Sequence, residues 1–417
     1  MQPVVISRQT ERRFVLGRQG LWPGRRWQGL EGTAQAALEC EAIQLDPLVM
    51  VARSQEICLY SRVLDYQIGY LDQVAYQQRR LFDYGGALFL YPMQELPFWA
   101  PQMRRSDGHW PAYLRENPAL ADDVRAALRE RGPLANRDLD GNQRVDSYRG
   151  RKDTALALYA LWRTGEVMVH HRKGFDRVYD LRENVAPPQW DWAAGEEEAE
   201  AYFARKSAAF AGIARERGWA LSVADALGTR VSQPEGRQML ERYYESGLLT
   251  PVRVEGMKDA KLVLTADLPL LDALERGEIP AQWQPLGPTT VEEAVILAPL
   301  DIVSARGRAA KLFDFDYVWE VYKPVEQRRW GYYNVPLLYG DRLVARIDPR
   351  LDRKTGTLEL LGFWLEDEAL GRDPQFGAAL AACLRRFMGF LGAKAVTLEA
   401  IQPDGLREMV RRGVNRQ

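Results

Sequence analysis

Two stretches of this chain repeat one pattern: an amphipathic helix stops at a glycine and an alternating hairpin follows. The first runs from Leu158 to Leu181, with LYALWRTG leading into EVMVHHRKGFDRVYDL and a turn near Lys173 and Gly174. The second runs from Met239 to Thr265, with MLERYYESG leading into a hairpin that turns near Gly256 to Asp259. Short helical segments precede each: Ala121 to Arg131 and Leu134 to Leu139 before the first, Glu196 to Ala214 and Ser222 to Leu227 before the second. Helices closed by a hairpin form the winged-helix pattern, a helix-turn-helix with a β-wing. Its repetition predicts tandem units, and a length of 417 residues leaves room for about three folding units. After Pro280 the texture changes to strand-like runs (VILAPL, DYVWEVY, WGYYNVPLL, DRLVARI, TLELLGFWLE), a helix from Asp373 to Leu391 and a last strand AKAVTLEAI. The expected fold class is α+β: tandem winged-helix domains at 1–115, 116–188 and 189–280, then a β-rich, barrel-like domain at 281–417. Asn184 to Glu200, with two prolines and the acidic run GEEEAE, reads as a linker into a helix.

The N-terminal region sets up the chemistry. Ser7 is placed to cap a helix through Leu16, and Thr33 to Ile43 reads as a second helix. Pro47 pushes Asp46 out of the α region, so Gln44, Leu45 and Asp46 are expected to be extended. Gln44 and Asp46 then project from one side while Leu45 packs inward. A carboxylate beside an amide can hold a water, orient it and accept its proton; it also stabilises a cation developing at a sugar anomeric carbon. The competing reading is an Asp that fixes a local turn beside a surface Gln.

Composition excludes other classes. Three cysteines without a CxxC spacing and three histidines argue against a zinc site and for a reduced, metal-free protein without a cofactor. The opening residues carry no apolar signal core, and the apolar runs are too short to span a bilayer, so a cytoplasmic protein is expected, associated with the nucleoid while it works. The net charge of −1 is not that of a typical nucleic-acid binder. It averages unlike segments, however: 13 Lys and Arg against 9 Asp and Glu between Arg125 and Glu183, and six Arg against one Glu between Met1 and Leu30.

The segment AIQLDPLVMVARSQEICLYSRV, Ala42 to Val63, together with GEVMVHHRKGFDRVYDL, Gly165 to Leu181, and Leu312 to Asp348, resembles the YcaQ-like (AlkX/AlkZ) DNA glycosylases of the helix-turn-helix 42 superfamily. The resemblance covers nearly the whole chain in order and implies three winged helices, the first degenerate, before a C-terminal β-domain. It implies removal of N7-alkylated guanine from damaged double-stranded DNA, including unhooking of interstrand crosslinks, leaving an abasic site; the protein is expected to be a monomer. Gln44, Leu45 and Asp46 match the family's Gln-apolar-Asp motif, which makes Asp46 the electrostatic stabiliser and general base and Gln44 the residue that positions water. Candidate DNA contacts are Arg53, Ser54, Arg62 and Arg306, with His170, His171, Arg172, Lys173 and Arg177 on the second wing; Arg308, Arg328 and Arg329 are weaker ones. An ion pair with Asp46 is the competing role for Arg53, and a solvated hairpin the competing role for the wing. Tyr243, Tyr244, Tyr332 and Tyr333 read as core or rim. Two departures stand out: relatives of the Asp type carry an aromatic-Ala-His-Glu run where this chain has Tyr84-Gly85-Gly86-Ala87-Leu88, and Pro-Phe-Asp followed by Trp-Asp-Arg where it has Pro299-Leu300-Asp301 and Ser304-Ala305-Arg306. Two other functions fit the residues alone: a non-catalytic winged-helix regulator or lesion sensor, and a nucleoside or RNA N-glycosidase using the same carboxylate logic.

Overall fold

The computed structural model describes residues 2–106, 108–139 and 152–415. Among the described residues three small sheets, each associated with helices, and a two-stranded parallel pair of Trp27–Gln28 with Val63–Leu64 precede a larger C-terminal sheet. The first orders Ile43–Gln44, Phe89–Pro92 and Leu81–Tyr84; the second orders Leu134–Ala135, Asp176–Leu181 and Val167–Lys173. The third places Leu249–Val254 and Lys261–Leu264 between Val4–Ile6 and Ala214–Arg215. Both hairpins read from the sequence are present, and Gly174 takes positive φ at the tip of the first. The C-terminal sheet has five strands, the longest Arg342–Asp352 and Thr357–Leu365, and curls into a half-barrel. Helix Pro374–Leu391 packs with Asp404–Val414, a helix that the sequence reading did not anticipate. Among the described residues no helix is long and apolar enough to cross a membrane.

Local signals held where the chemistry is local. Ser7 Oγ accepts from the Thr10 N–H and opens helix Arg8–Arg18. Asp373 caps helix Pro374–Leu391 by accepting from the Gln375 N–H. The acidic run at Glu196 occupies the first turn of helix Glu196–Ala211, where carboxylates oppose the helix dipole.

Other expectations are corrected by long-range partners. Leu134 to Leu139 is not a helix: Leu134 and Ala135 pair with Tyr179 and Val178 as a third strand, then a 3₁₀ turn spans Asn136–Asp138. Residues 140–151 lie outside the described residues. The second helix ends at Glu39 rather than Ile43, because Glu41 takes a left-handed backbone that turns the chain into strand Ile43–Gln44. Asp316 to Tyr322 forms no strand, and only Ala395–Val396 of the expected last strand pairs. The parallel pairing of Val4–Ile6 with Leu249–Val254 cuts across the expected 1–115 unit. The N-terminal helix buries Phe14, Val15 and Leu16 with Val252, Val263 and Trp283. Gly17 permits this docking, since a β-carbon there would sit 2.3 Å from the Trp283 ring.

Among the ion pairs that join the first unit to the C-terminal region, one is fully buried. Arg62 follows helix Ser54–Tyr60, and its guanidinium meets Asp301 in a bidentate pair of 2.7 and 2.9 Å with both side chains 0% exposed. Arg386 adds bonds to the Tyr60 and Val63 carbonyls and stacks on Tyr60. Removing one member of a buried pair strands a charge. Asp301→Ala is therefore expected to lower unfolding stability by about 3–5 kcal/mol in urea titration. The volume-matched Arg62→Met/Asp301→Leu double variant should recover most of that loss.

Candidate active site

The candidate motif lies where the first sheet, helix Ser54–Tyr60 and the C-terminal sheet converge. Ile43 and Gln44 pair with Leu90 and Phe89, and the Leu45 N–H donates to the Leu88 carbonyl at 2.7 Å, so the strand geometry expected for this stretch holds to Leu45. Leu45 is buried. The Asp46 N–H donates to Gln55 Oε1 at 3.0 Å, and the Leu48 N–H donates to Asp46 Oδ1 at 2.9 Å, an Asx turn made natural by Pro47. The turn-forming role considered for Asp46 is thus real, but it uses one oxygen. Oδ2 has no hydrogen-bond partner among the described residues. Burial raises the Asp46 pKa above the usual carboxylate range, and the Leu48 N–H offsets part of that shift.

The C-terminal sheet holds the loop after Asp46 from the other side. The Leu351 N–H, Arg353 and the Tyr333 hydroxyl donate to the carbonyls of Met50, Val51 and Ala52 in turn. Tyr333 is buried, and Asp46 contributes to raising its pKa after burial itself.

Gln44 has a different partner. Its Oε1 accepts from Arg306 Nη2 at 3.1 Å. A guanidinium cannot accept, so this contact fixes the carboxamide with oxygen toward Arg306 and leaves the NH₂ as the donor available elsewhere. Arg306 takes a left-handed backbone with φ of 54°, and Gly307 follows with φ of 77°. Such strain at a non-glycine residue costs of order 1 kcal/mol or more and persists only where surroundings impose it. Beside Gln44 lies a cavity of about 40 Å³, lined in part by Ser54, Phe89, Phe210, Arg306 and Arg308. It is water-sized.

The structure redistributes the expected DNA contacts. Arg62 is withdrawn: it is fully buried on Asp301. Ser54 is buried and lines the small cavity instead of the surface. Arg172 and Arg177 both bind Asp83 of the first sheet, at 2.5 and 3.2 Å, and lie against Phe175 and Trp162, so they fasten the second wing rather than extend from it. His170 and His171 face each other Nδ1 to Nδ1 at 2.8 Å, and burial and then neighbouring cations lower both pKa values, which keeps them neutral near pH 7. Lys173 remains as the exposed cation of that wing. Arg53 precedes helix Ser54–Tyr60, lies 5.9 Å from Phe175 and makes no ion pair with Asp46.

The arginine-rich N-terminus is likewise engaged internally, with Arg8, Arg13, Arg18 and Arg25 on Asp314, Asp341, Asp267 and Glu293. Arg308 donates to the Ala211 carbonyl, and burial pushes its pKa down to about 10. Arg328 and Arg329 lie over Tyr332 and Trp330. The Tyr84 to Leu88 stretch is a hairpin turn with Gly85 at φ of 90°; toward the motif it offers the Leu88 carbonyl. Sequence reasoning missed Gln55, which lies nine residues after Asp46 between Ser54 and Glu56 in a polar first helical turn and so carried no signal of its own.

The family model described as DNA glycosylase AlkZ-like matches residues 38–390. The chain belongs to this DNA glycosylase family. Among solved structures, the Streptomyces sahachiroi DNA glycosylase AlkZ matches with a TM-score of 0.57 at 16% identity, covering 94% of this chain and 99% of that one, which shows the same fold. The AlkZ-like chain described here is therefore a DNA glycosylase, and its substrate is DNA.

Two outcomes test the geometry. Arg306→Gly removes both the backbone strain and the donor on Gln44, so thermal stability should hold or rise while single-turnover base release falls about tenfold, the scale of one charge-assisted hydrogen bond. Arg306→Lys should recover part of the rate. For Asp46, a raised folded-state pKa means that the protonated form stabilises the fold; that contribution is present below the unfolded pKa and is lost as pH rises through the folded one. Asp46→Asn should then match or exceed wild type in thermal stability at pH 7, with the difference shrinking in acid.

Proposed function

We propose that this glycosylase hydrolyses the N-glycosidic bond of N7-alkylated guanine in double-stranded DNA, with crosslinked guanine inside its range. The observation that carries the reading is the asymmetry of Asp46. One oxygen is committed to the Leu48 N–H, and the other is without a partner on a loop held from both sides. A carboxylate fixed in this way presents charge to an anomeric carbon without reorganising.

N7 alkylation places a positive charge on the purine. When the C1′–N9 bond breaks, its electron pair passes to N9 and the base departs neutral, so no acid is required. Asp46 stabilises the oxocarbenium-like sugar that remains. Water held by the Gln44 NH₂ adds through oxygen to C1′ and gives its proton to Asp46 Oδ2. The products are the free alkylguanine and an abasic deoxyribose.

Among the described residues no lysine lines the cavity beside Gln44, which supports hydrolysis by water over attack by an amine and strand cleavage.

The test is alkali cleavage of a duplex carrying one N7-methylguanine, together with a duplex joined by a nitrogen-mustard-type crosslink. Wild type should release the base and unhook the joined strands; Asp46→Asn should be slower by about 10²–10³-fold, the usual loss when a preorganised electrostatic group is removed. The rate should rise with pH through a titration above the ordinary carboxylate range, and the Asn variant should lack this limb. Absence of base release by wild type would sink the reading, as would an Asn variant of equal rate.

A further inference from the structure

The segment between Phe315 and Tyr333, expected to contain a strand, is a pinned loop that displays apolar side chains. Tyr322 is 83% exposed and Val325 73%. The loop is closed at its base. The buried Glu320 carboxylate accepts from the Trp330 N–H at 2.7 Å and from Lys323 Nζ at 2.8 Å, and Arg328 Nε donates to the Lys323 carbonyl at 2.9 Å. Arg346 lies between Phe315 and Trp330, 4.3 and 4.1 Å from their rings, and Asn334 reaches back to the Val318 carbonyl. A slack loop would fold such side chains against the protein; this one is held so that it cannot.

The loop stands next to the candidate site. Trp319 sits edge-on to Tyr322 at 5.8 Å and to Tyr333 at 5.9 Å, and the Tyr333 hydroxyl donates to the Ala52 carbonyl in the loop that carries Asp46. Three aromatic rings therefore connect the exposed tip to the Asp46 loop. Lys323, Arg328 and Arg329 flank the tip, and the one carboxylate paired with Arg329, Asp316 at 3.5 Å, is as exposed as its partner. Exposed pairs of this kind yield readily to another anion.

An aromatic and a β-branched side chain, held rigidly and ringed by cations, match the surface of a duplex opened at one step: an apolar base face between two phosphates. We infer that Tyr322 and Val325 form a wedge that enters the DNA base stack beside the damaged nucleotide, with Arg328 and Arg329 on the flanking phosphates. The inference rests on duplex DNA as the substrate and deepens that reading by naming the residues that open the stack.

The test uses full-length protein and a duplex with a tetrahydrofuran abasic analogue, which resembles the product whichever base is removed, and 2-aminopurine as the adjacent base. Binding should raise 2-aminopurine fluorescence several-fold. The Tyr322→Ser/Val325→Ser variant, altered only at exposed positions, should lose that rise and bind about 5- to 100-fold more weakly, with an unchanged slope of log affinity against log salt. Arg329→Ala, altered at an exposed cation, should instead reduce the slope. An equal fluorescence rise in the tip variant would overturn the wedge. So would a tip that served a protein contact, seen as a wild-type dimer that the variant makes monomeric in sedimentation while DNA binding stays unchanged. Failure of wild type to release N7-methylguanine would overturn the proposed lesion alone, since the abasic duplex reports insertion independently.

Discussion

The Arg62–Asp301 pair is the interaction on which the site depends. Gln44 and Asp46 belong to the N-terminal part of the chain, whereas Arg306 and Tyr333, which orient or flank them, belong to the C-terminal part. Neither part holds the arrangement alone. Asp301 lies in the same compact stretch as Arg306: its carbonyl accepts from the Ser304 and Ala305 N–H groups, and the Ala305 carbonyl accepts from the Arg308 N–H. Anchoring Asp301 on Arg62 thus sets where Arg306 emerges. A surface pair would not serve, because water and salt would compete for each partner.

Charge in this protein is mostly structural. Arginines that look like a phosphate-binding cluster at the N-terminus each meet an acidic or aromatic partner, and those of the second wing converge on one buried aspartate. Near the candidate site Lys173 and Arg53 stay outside such pairs, and other cations, Arg115, Arg217 and Arg237 among them, are exposed elsewhere on the surface. Modest positive charge of this kind gives weak sequence-independent affinity, so recognition of damage must draw more on shape and stacking than on phosphate attraction.

What could be read from sequence and what could not divide along the range of the interaction. Ser7 as a cap, Pro47 as the residue that keeps Asp46 out of a helix, and the two helix–glycine–hairpin units depend on neighbours within a few positions, and the structure bears them out. The Gln-Leu-Asp motif was visible because family resemblance gave three otherwise ordinary residues a role. Arg62 was misread because its partner lies 239 residues away. Arg172 and Arg177 were misread because Asp83 belongs to another sheet. Asp316 to Tyr322 looked like a strand because its aromatics alternate, yet the carboxylate of Glu320 bends the chain back on Trp330 instead. Alternation indicates which side chains avoid water and leaves open whether an adjacent strand exists to accept the backbone.

The edge strand at Val4–Ile6 has a temporal consequence. Its partner, Val252 to Val254, lies about 250 residues downstream. At a synthesis rate of roughly 5–20 residues per second, the nascent N-terminus stays unpaired for about 12–50 seconds before its sheet partner leaves the ribosome. Throughout that interval Val252, Val254 and Val263, which share one buried cluster with Ile6, Phe14 and Leu16 in the finished protein, are absent. The emerging chain therefore leaves the apolar face of helix Arg8–Arg18 without its sheet for that time, which makes the helix a natural target of a holding chaperone.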